Sequence, residues 1–259
     1  QASSTPVPSA TGYDPATRLL LTALPPMPQV PENPARTDAE VALQLLLDLL
    51  SEFPFADNVS RAVALSALIT PVVRPALGAV PMHAFSSPEQ GTGKSYLVDL
   101  CAAIVSGRAC PVIGASTVDT VELEKRLAAA AIAATPILSL DNVNGVLASD
   151  LLCQLIERPL VEVRVLGQSR NVTIPNHGTI FATGNNLAIS GDLVRRTLLC
   201  RMDACTEEPE RRAFSKDPFG AILADRGKYV AAALTIVRAY IAAGMPERCK
   251  PLPSFTKWS

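Results

Sequence analysis

The stretch Phe85–Ser95 of this 259-residue chain reads Phe-Ser-Ser-Pro-Glu-Gln-Gly-Thr-Gly-Lys-Ser, and no other segment constrains the fold as strongly. An apolar run over 79–85 precedes the glycines, and apolar residues at helical spacing follow them over 96–105. Gly91 and Gly93 can adopt positive φ angles, so the backbone N–H groups of the loop can converge on an anion where the helix begins. Strand, glycine loop and helix in this order are typical of a phosphate-binding loop in an α/β fold.

Each residue type in this loop predicts a role in nucleotide binding. We expect Lys94 to reach the β- and γ-phosphates and the Ser95 hydroxyl to ligate Mg²⁺. The sequence departs from the pattern G-x-x-x-x-G-K-[ST] at its first glycine, which is replaced by Pro88. The alternative interpretation is a glycine-rich turn at a helix start with an exposed lysine. The predicted nucleotide-binding residues are Pro88, Glu89, Gln90, Gly91, Thr92, Gly93, Lys94, Ser95 and Tyr96.

A second short apolar run, over 136–141, ends in Asp141. It predicts a buried parallel strand, and α/β sheets place their ligands at the C-terminal ends of such strands. We therefore expect Asp141 to hold Mg²⁺ opposite Ser95, on a strand tip adjacent to the one that carries Lys94. The alternative is a turn-forming Asp-Asn pair.

A β-hairpin and another buried strand follow. Alternating residues over 161–166, a turn over 167–170 and a return strand over 171–174 predict the hairpin. The apolar strand over 179–183 then ends in Gly-Asn-Asn, and we expect Asn185 to orient an attacking water and contact the γ-phosphate. An ordinary Gly-Asn turn is the alternative.

Two adjacent arginines, Arg195 and Arg196, end a short predicted helix just before the strand over 197–203. They are candidates for an arginine finger, a cation that stabilises the charge developing on a transferring phosphoryl group. The alternative is a pair of surface arginines in salt bridges.

Composition limits the remaining functions. The net charge of −1 provides no bulk basic field, although a ring of subunits can line a channel with a few cations each. The six cysteines form no C-x-x-C pair and the two histidines are isolated, which predicts reduced thiols, a cytoplasmic location and no zinc site. We expect no membrane partner, because no apolar run approaches the ~20 residues of a membrane span.

The chain divides into four predicted segments. A proline-rich arm or linker covers 1–36, and an N-terminal helical segment covers 37–80, in which a helix over 58–69 should end before Pro71. The core covers 81–204 with the hairpin at 160–175, and a C-terminal helical lid covers 205–259. Because the chain opens with Gln1, we expect it to be part of a larger protein.

The order of these motifs, followed by a helical tail, resembles the AAA+ ATPase module over about residues 38–245. The hairpin before the Asn-ended strand is similar to the pre-sensor hairpin of minichromosome-maintenance and superfamily-three helicases. The segments 181–187 and 191–196 resemble the helicase parts of primase-helicases from phages and mobile elements. The resemblance implies a P-loop NTPase three-layer α/β sandwich with a central parallel sheet, N-terminal helices and a C-terminal helical lid.

The resemblance also implies the roles of residues, cofactors and partners. Lys94 and Ser95 match the first Walker motif, and Asp141 matches the second. Asn185, or less closely Asn186, matches the first sensor. Arg195 or Arg196 matches the arginine finger. Four arginines are eligible as the second sensor: Arg211, Arg212, Arg226 and Arg238. ATP and Mg²⁺ are the implied cofactors. The implied partners are further copies in a hexameric ring, other replication proteins, and single-stranded DNA held by Arg164 and Arg170, for which a solvated hairpin edge is the alternative.

Asn142 stands where most AAA+ enzymes have a catalytic glutamate. An amide can position water but cannot take its proton, so hydrolysis is slow, or a base such as Glu89 comes from elsewhere, or ATP is bound rather than cleaved. The expected function is a DNA helicase or translocase of a mobile-element or phage replication protein. The alternative is a replication initiator or loader that remodels a partner, and the motif order speaks against a third candidate, a small-molecule kinase.

Overall fold

A five-stranded parallel sheet forms the centre of the computed structural model. The structure describes residues 12–15, 19–21, 25–115, 119–168, 170–206, 208–209, 215–248 and 250–259. The strands of the sheet are β3 (Met82–Ser87), β4 (Val112–Gly114), β5 (Ile137–Asp141), β9 (Thr179–Asn185) and β11 (Thr197–Arg201). They lie side by side in the order β11-β3-β9-β5-β4.

Helices cover both faces of this sheet. They are α1 (Arg36–Leu49), α2 (Asn58–Val73) with a 3-10 turn (Arg74–Ala76), α3 (Lys94–Ser106), α4 (Thr120–Ile132), α5 (Asp150–Glu157), α6 (Pro218–Ala224) and α7 (Arg226–Ala242). Side chains alternate across β3, so that Phe85 joins a core with α1, α2, α3 and α7, whereas Ala84 joins a core with α4 and α5. This three-layer α/β sandwich, with a glycine loop after β3, is the P-loop NTPase architecture that the sequence predicted.

The prediction that Lys94 and Asp141 lie on adjacent strand tips is wrong. Strand β9 pairs with β3 on one side and with β5 on the other. All residues of β9 except its last are buried, which suits a central strand. Because the three strands are parallel, their C-terminal ends still meet at one edge of the sheet.

Helix α2 continues through Pro71 to Val73, so the prediction that it ends before Pro71 is wrong. Proline in a helix interior costs ~3 kcal/mol, but Thr70 and Pro71 are buried against the core, which offsets that cost. By length and composition alone, the stretch Asn58–Ala76 passes as a membrane span, with a mean hydropathy of 1.2, contrary to our expectation of no such run. Its contacts with α3, α7 and β11 are those of a core helix.

The predicted hairpin is present as β7 (Leu160–Arg164) paired antiparallel with β8 (Asn171–Pro175). Val161 and Val163 are buried beside α4, and the alternate residues of β7 are exposed. Two further pairs of short strands occur: β1 (Gly12–Asp14) with β2 (Leu19–Leu21), and β6 (Val146–Leu147) with β10 (Ala188–Ile189).

Candidate nucleotide site

The glycine loop leaves β3 and enters α3 through two left-handed residues. Gly91 has a φ of 78° and Gly93, the N-cap of α3, has a φ of 94°. A Cβ atom added to Gly93 would lie 3.2 Å from the ring of Phe53. Both the φ angles and this close approach therefore favour glycine.

Lys94 is the first residue of α3, and its ammonium group joins the loop to the central strand. Its Nζ donates to Asn185 Oδ1 at 2.8 Å, to the Glu89 carbonyl at 3.0 Å and to Ser87 Oγ. Burial lowers the pKa of Lys94, and the charge of Asp141 opposes this shift. The predicted phosphate-binding cation and the predicted first sensor thus lie in direct contact.

Ser95 and Asp141 meet in the same way. Ser95 Oγ donates to Asp141 Oδ1 at 2.8 Å, and Thr183 Oγ1 donates to the same oxygen at 2.6 Å. A serine hydroxyl that donates its proton to a carboxylate keeps its lone pairs for a cation. Lys94, Asn185, Ser95 and Asp141 therefore lie together at the C-terminal edge of the sheet, rather than on opposite sides of the molecule.

These oxygens fit Mg²⁺. The ion prefers hydroxyl, carboxylate and phosphate oxygens and usually keeps several waters, so it needs only one or two protein ligands. In the described part of the chain, no group of three or more His, Cys, Asp or Glu side chains could hold a metal on its own. Ser95 and Asp141 would therefore hold the ion together with phosphate oxygens of a nucleotide.

The two asparagines that follow strands β5 and β9 have left-handed backbones. Asn142 has a φ of 54° and donates its N–H to Thr183 Oγ1 at 3.1 Å. Asn186 has a φ of 48° and donates its N–H to the Ser87 carbonyl at 2.9 Å. Asparagine tolerates this conformation better than most residues. Neither of these two side chains accepts a hydrogen bond from Lys94 in the described structure, whereas the amide oxygen of Asn185 does. Asn185 is for this reason a better match to the predicted sensor than Asn186.

The two candidate finger arginines differ in their surroundings. Arg196 is 5% exposed; it pairs with Glu157 and, at 3.0 Å, with Asp192. The Arg195 side chain is 52% exposed, and its guanidinium group donates hydrogen bonds to Asp192 at 3.2 and 3.3 Å. Both arginines thus take part in ion pairs, as the alternative interpretation has it. The guanidinium group of Arg196 is enclosed within the chain, and that of Arg195 is the more accessible of the two candidates.

Arg195 lies far from the Lys94 of its own chain. It precedes β11, whose first residue Thr197 is in register with Met82 at the start of β3. The glycine loop follows the other end of β3, at Ser87. The five residue steps from Met82 to Ser87, at ~3.3 Å each, put ~17 Å between the two edges of the sheet. Arg195 and the glycine loop of one chain therefore lie at opposite edges of the sheet.

The eligible second-sensor arginines that the structure describes have structural contacts. Arg226 donates to the Val105 carbonyl at 2.8 Å, near the C-terminal end of α3. Arg238 donates to the carbonyls of Val30 and Pro31 and so holds the arm against α7. Arg211 and Arg212 lie outside the described residues.

Both arginines of the hairpin are exposed. Arg164 lies on the outer face of β7, in register with Asn171, and Arg170 is at the turn, where its carbonyl accepts the N–H of Val165. Leu166, beside them, is 77% exposed. The tip of the hairpin therefore presents two cations and one apolar side chain to solvent.

Sequence reasoning missed two features beside the glycine loop. One is Thr183, a polar residue within the apolar run of β9; its position two residues before Asn185 was the available signal. The other is an aromatic cluster in which Tyr96 stacks on Phe53 at a centroid distance of 6.2 Å and contacts Phe219 at 6.4 Å. No local pattern joins these rings, because they come from three separate segments.

No protein-family model matches the chain, and no curated protein matches it. Among solved structures, it is similar to the A form of the apo NrS-1 C-terminal region, at 16% identity and a TM-score of 0.47, covering 86% of this chain and 52% of that one. It is also similar to JCV helicase bound to an acetamide compound, at 15% identity and a TM-score of 0.37, covering 85% and 63%. The chain thus spans about half to under two thirds of these structures, and its function is inferred from its own residues.

Proposed function

We propose that this chain is an ATP-binding and ATP-hydrolysing AAA+ motor domain. In this proposal the domain works as a hexameric ring that moves single-stranded DNA. It is the helicase or translocase part of a replication protein that a phage or mobile element encodes and that acts in the cytoplasm. One observation carries the proposal: Lys94 contacts Asn185 while Ser95 contacts Asp141, all at one sheet edge, where α/β folds bind nucleotides.

The chemistry assigns a task to each of these groups. Lys94 and the backbone N–H groups of the loop bind the β- and γ-phosphates, and Asn185 orients the attacking water. Mg²⁺, held by Ser95 and Asp141, would neutralise charge on the phosphates. Arg195 of a neighbouring copy adds a positive charge beside the transferring phosphoryl group.

In this proposal the hairpins of the ring line a central channel. Arg164 and Arg170 contact backbone phosphates, which gives binding without sequence preference that weakens with salt. ATP bound between two copies bridges them, and loss of the γ-phosphate loosens the bridge, so that one copy shifts against the next and carries its hairpin along.

Arg170→Ala is expected to reduce DNA-stimulated ATPase activity more than basal ATPase activity. Loss of one phosphate contact should also make the plot of log DNA affinity against log salt shallower by about one unit. The measurements are ATPase rates with and without an unstructured oligonucleotide, and DNA affinity at several salt concentrations. Arg61→Ala, at another exposed arginine, is the control. An equal loss of basal and stimulated activity would argue against a hairpin that holds DNA.

Asn142 favours a second candidate, a nucleotide-dependent initiator or loader that remodels a protein partner. The residue directly after Asp141 carries an amide, which cannot take the proton from water. ATP binding without fast turnover is enough for the role of a switch. ATP-dependent strand displacement on a forked DNA distinguishes the two: the motor displaces the strand, whereas the switch binds ATP and leaves the fork intact.

A further inference from the structure

We propose that Thr183 is a positioning residue for the Mg²⁺ ion of the nucleotide site, an inference that rests on the proposed function. Thr183 lies in the central strand β9 and is 1% exposed. Its hydroxyl donates to Asp141 Oδ1 at 2.6 Å and accepts the N–H of Asn142 at 3.1 Å. One buried side chain therefore holds the last residue of β5 and the first residue after it.

The first consequence concerns the orientation of the Asp141 carboxylate. A carboxylate at the end of a strand can rotate unless neighbouring donors fix it. Here both donors, Ser95 Oγ and Thr183 Oγ1, bond to the same oxygen, Oδ1. No donor to Oδ2 occurs among the described residues, and the two bonds to Oδ1 hold the group in one orientation. Such pre-orientation of a metal ligand by an outer hydrogen bond raises metal affinity.

The second consequence concerns the backbone of the loop. The Val143 N–H donates to the Thr183 carbonyl at 2.8 Å, and a Cβ atom on Gly184 would lie only 2.5 Å from the Val143 carbonyl oxygen. The absence of a side chain at Gly184 thus lets the loop lie directly on β9. The Thr183 hydroxyl then fixes Asn142 in its left-handed conformation, so the pair Thr183-Gly184 determines where Asp141 and Asn142 lie.

A buried hydroxyl can also be purely structural, and the same strand offers a control for this. Thr179 begins β9, is fully buried, and has a hydroxyl without a hydrogen-bond partner among the described residues. Thr179→Val and Thr183→Val make the same chemical change at two buried positions of one strand. Thr183→Ser retains the hydroxyl and removes only a methyl group.

The test measures the affinity of each protein for a fluorescent ATP analogue, once with Mg²⁺ and once with EDTA. We expect Thr183→Val to reduce the Mg²⁺-dependent gain in affinity by about 10- to 100-fold, the usual effect of losing such an outer contact. Affinity in EDTA should stay within about twofold of the wild type. Thr183→Ser should restore the gain and Thr179→Val should keep it. Electron paramagnetic resonance titration of Mn²⁺ into the protein–analogue complex gives a readout independent of turnover.

The outcomes separate this inference from the function it rests on. If the wild type does not bind the analogue at all, the proposed function fails and this inference fails with it. If the wild type shows a Mg²⁺-dependent gain that Thr183→Val retains, only the role of Thr183 is refuted. Equal losses with Mg²⁺ and with EDTA, together with a lower melting temperature and no rescue by serine, would show a merely structural role and also overturn it.

Discussion

Lys94→Ala is expected to abolish ATP turnover and to weaken ATP binding by about 10- to 100-fold. The ammonium group lies at the start of α3 between the glycine loop and Asn185, where it would face the β- and γ-phosphates. Hydrogen bonds to charged groups are worth about 1.5–3 kcal/mol each, which corresponds to that range of affinity. The binding loss is measured by calorimetric titration with a non-hydrolysable analogue, and turnover by phosphate release.

Lys228→Ala is the control for the loss of a lysine as such, and thermal unfolding is the control for folding. Lys228→Ala removes an exposed lysine from α7 and should leave both binding and turnover unchanged. Lys94 is buried, so its replacement can also affect folding. A thermal unfolding curve shows whether the Lys94→Ala protein is still folded. A folded Lys94→Ala protein that turns over ATP normally would remove the assignment of the loop.

Arg195→Ala is expected to reduce the rate of ATP hydrolysis by about 10³-fold or more, the usual contribution of an arginine finger. Nucleotide binding should stay largely intact, because Arg195 lies at the sheet edge opposite the glycine loop of its own chain. The measurements are turnover at saturating ATP and analogue affinity. Normal hydrolysis by this variant would place the finger elsewhere.

Arg196→Ala is the matched comparison at the neighbouring position. Arg196 is buried, but its partners Glu157 and Asp192 are more exposed. Its loss should therefore lower the free energy of unfolding by only about 1–2 kcal/mol, the contribution of lost hydrogen bonds rather than of a fully buried ion pair. This appears as a lower midpoint of chemical unfolding. Loss of hydrolysis without loss of stability in Arg196→Ala would reverse the assignment of the two arginines.

The sequence was sufficient where a local pattern carries the information. The glycines before Lys94 need their positive φ angles, and the alternation over 161–174 buries one face of a hairpin; both are visible without the fold. The apolar runs that end in Asp141 and Asn185 were identified for the same reason. What these patterns share is that each depends on residues close together in the chain.

The sequence was insufficient where the outcome depends on distant contacts. Strand order is not encoded in the pattern of any strand. The Asn-ended strand β9 was expected beside β5, which is confirmed, but its pairing with β3 on the other side was not predicted. Arg196 pairs with Glu157, which is 39 residues away in sequence, so no local pattern distinguishes its surroundings from those of Arg195. The continuation of α2 through Pro71 likewise depends on the core against which it packs.

The central claim is that ATP binds at the Lys94 loop of one copy and that Arg195 of the next copy completes the active site. It is tested most directly by mixing Lys94→Ala and Arg195→Ala proteins, each inactive alone, and measuring ATP hydrolysis. The account predicts recovery to about a quarter of the wild-type rate, since random head-to-tail assembly pairs an intact loop with an intact arginine at one interface in four. A mixture as inactive as its components, at concentrations where the wild type hydrolyses ATP, would contradict it.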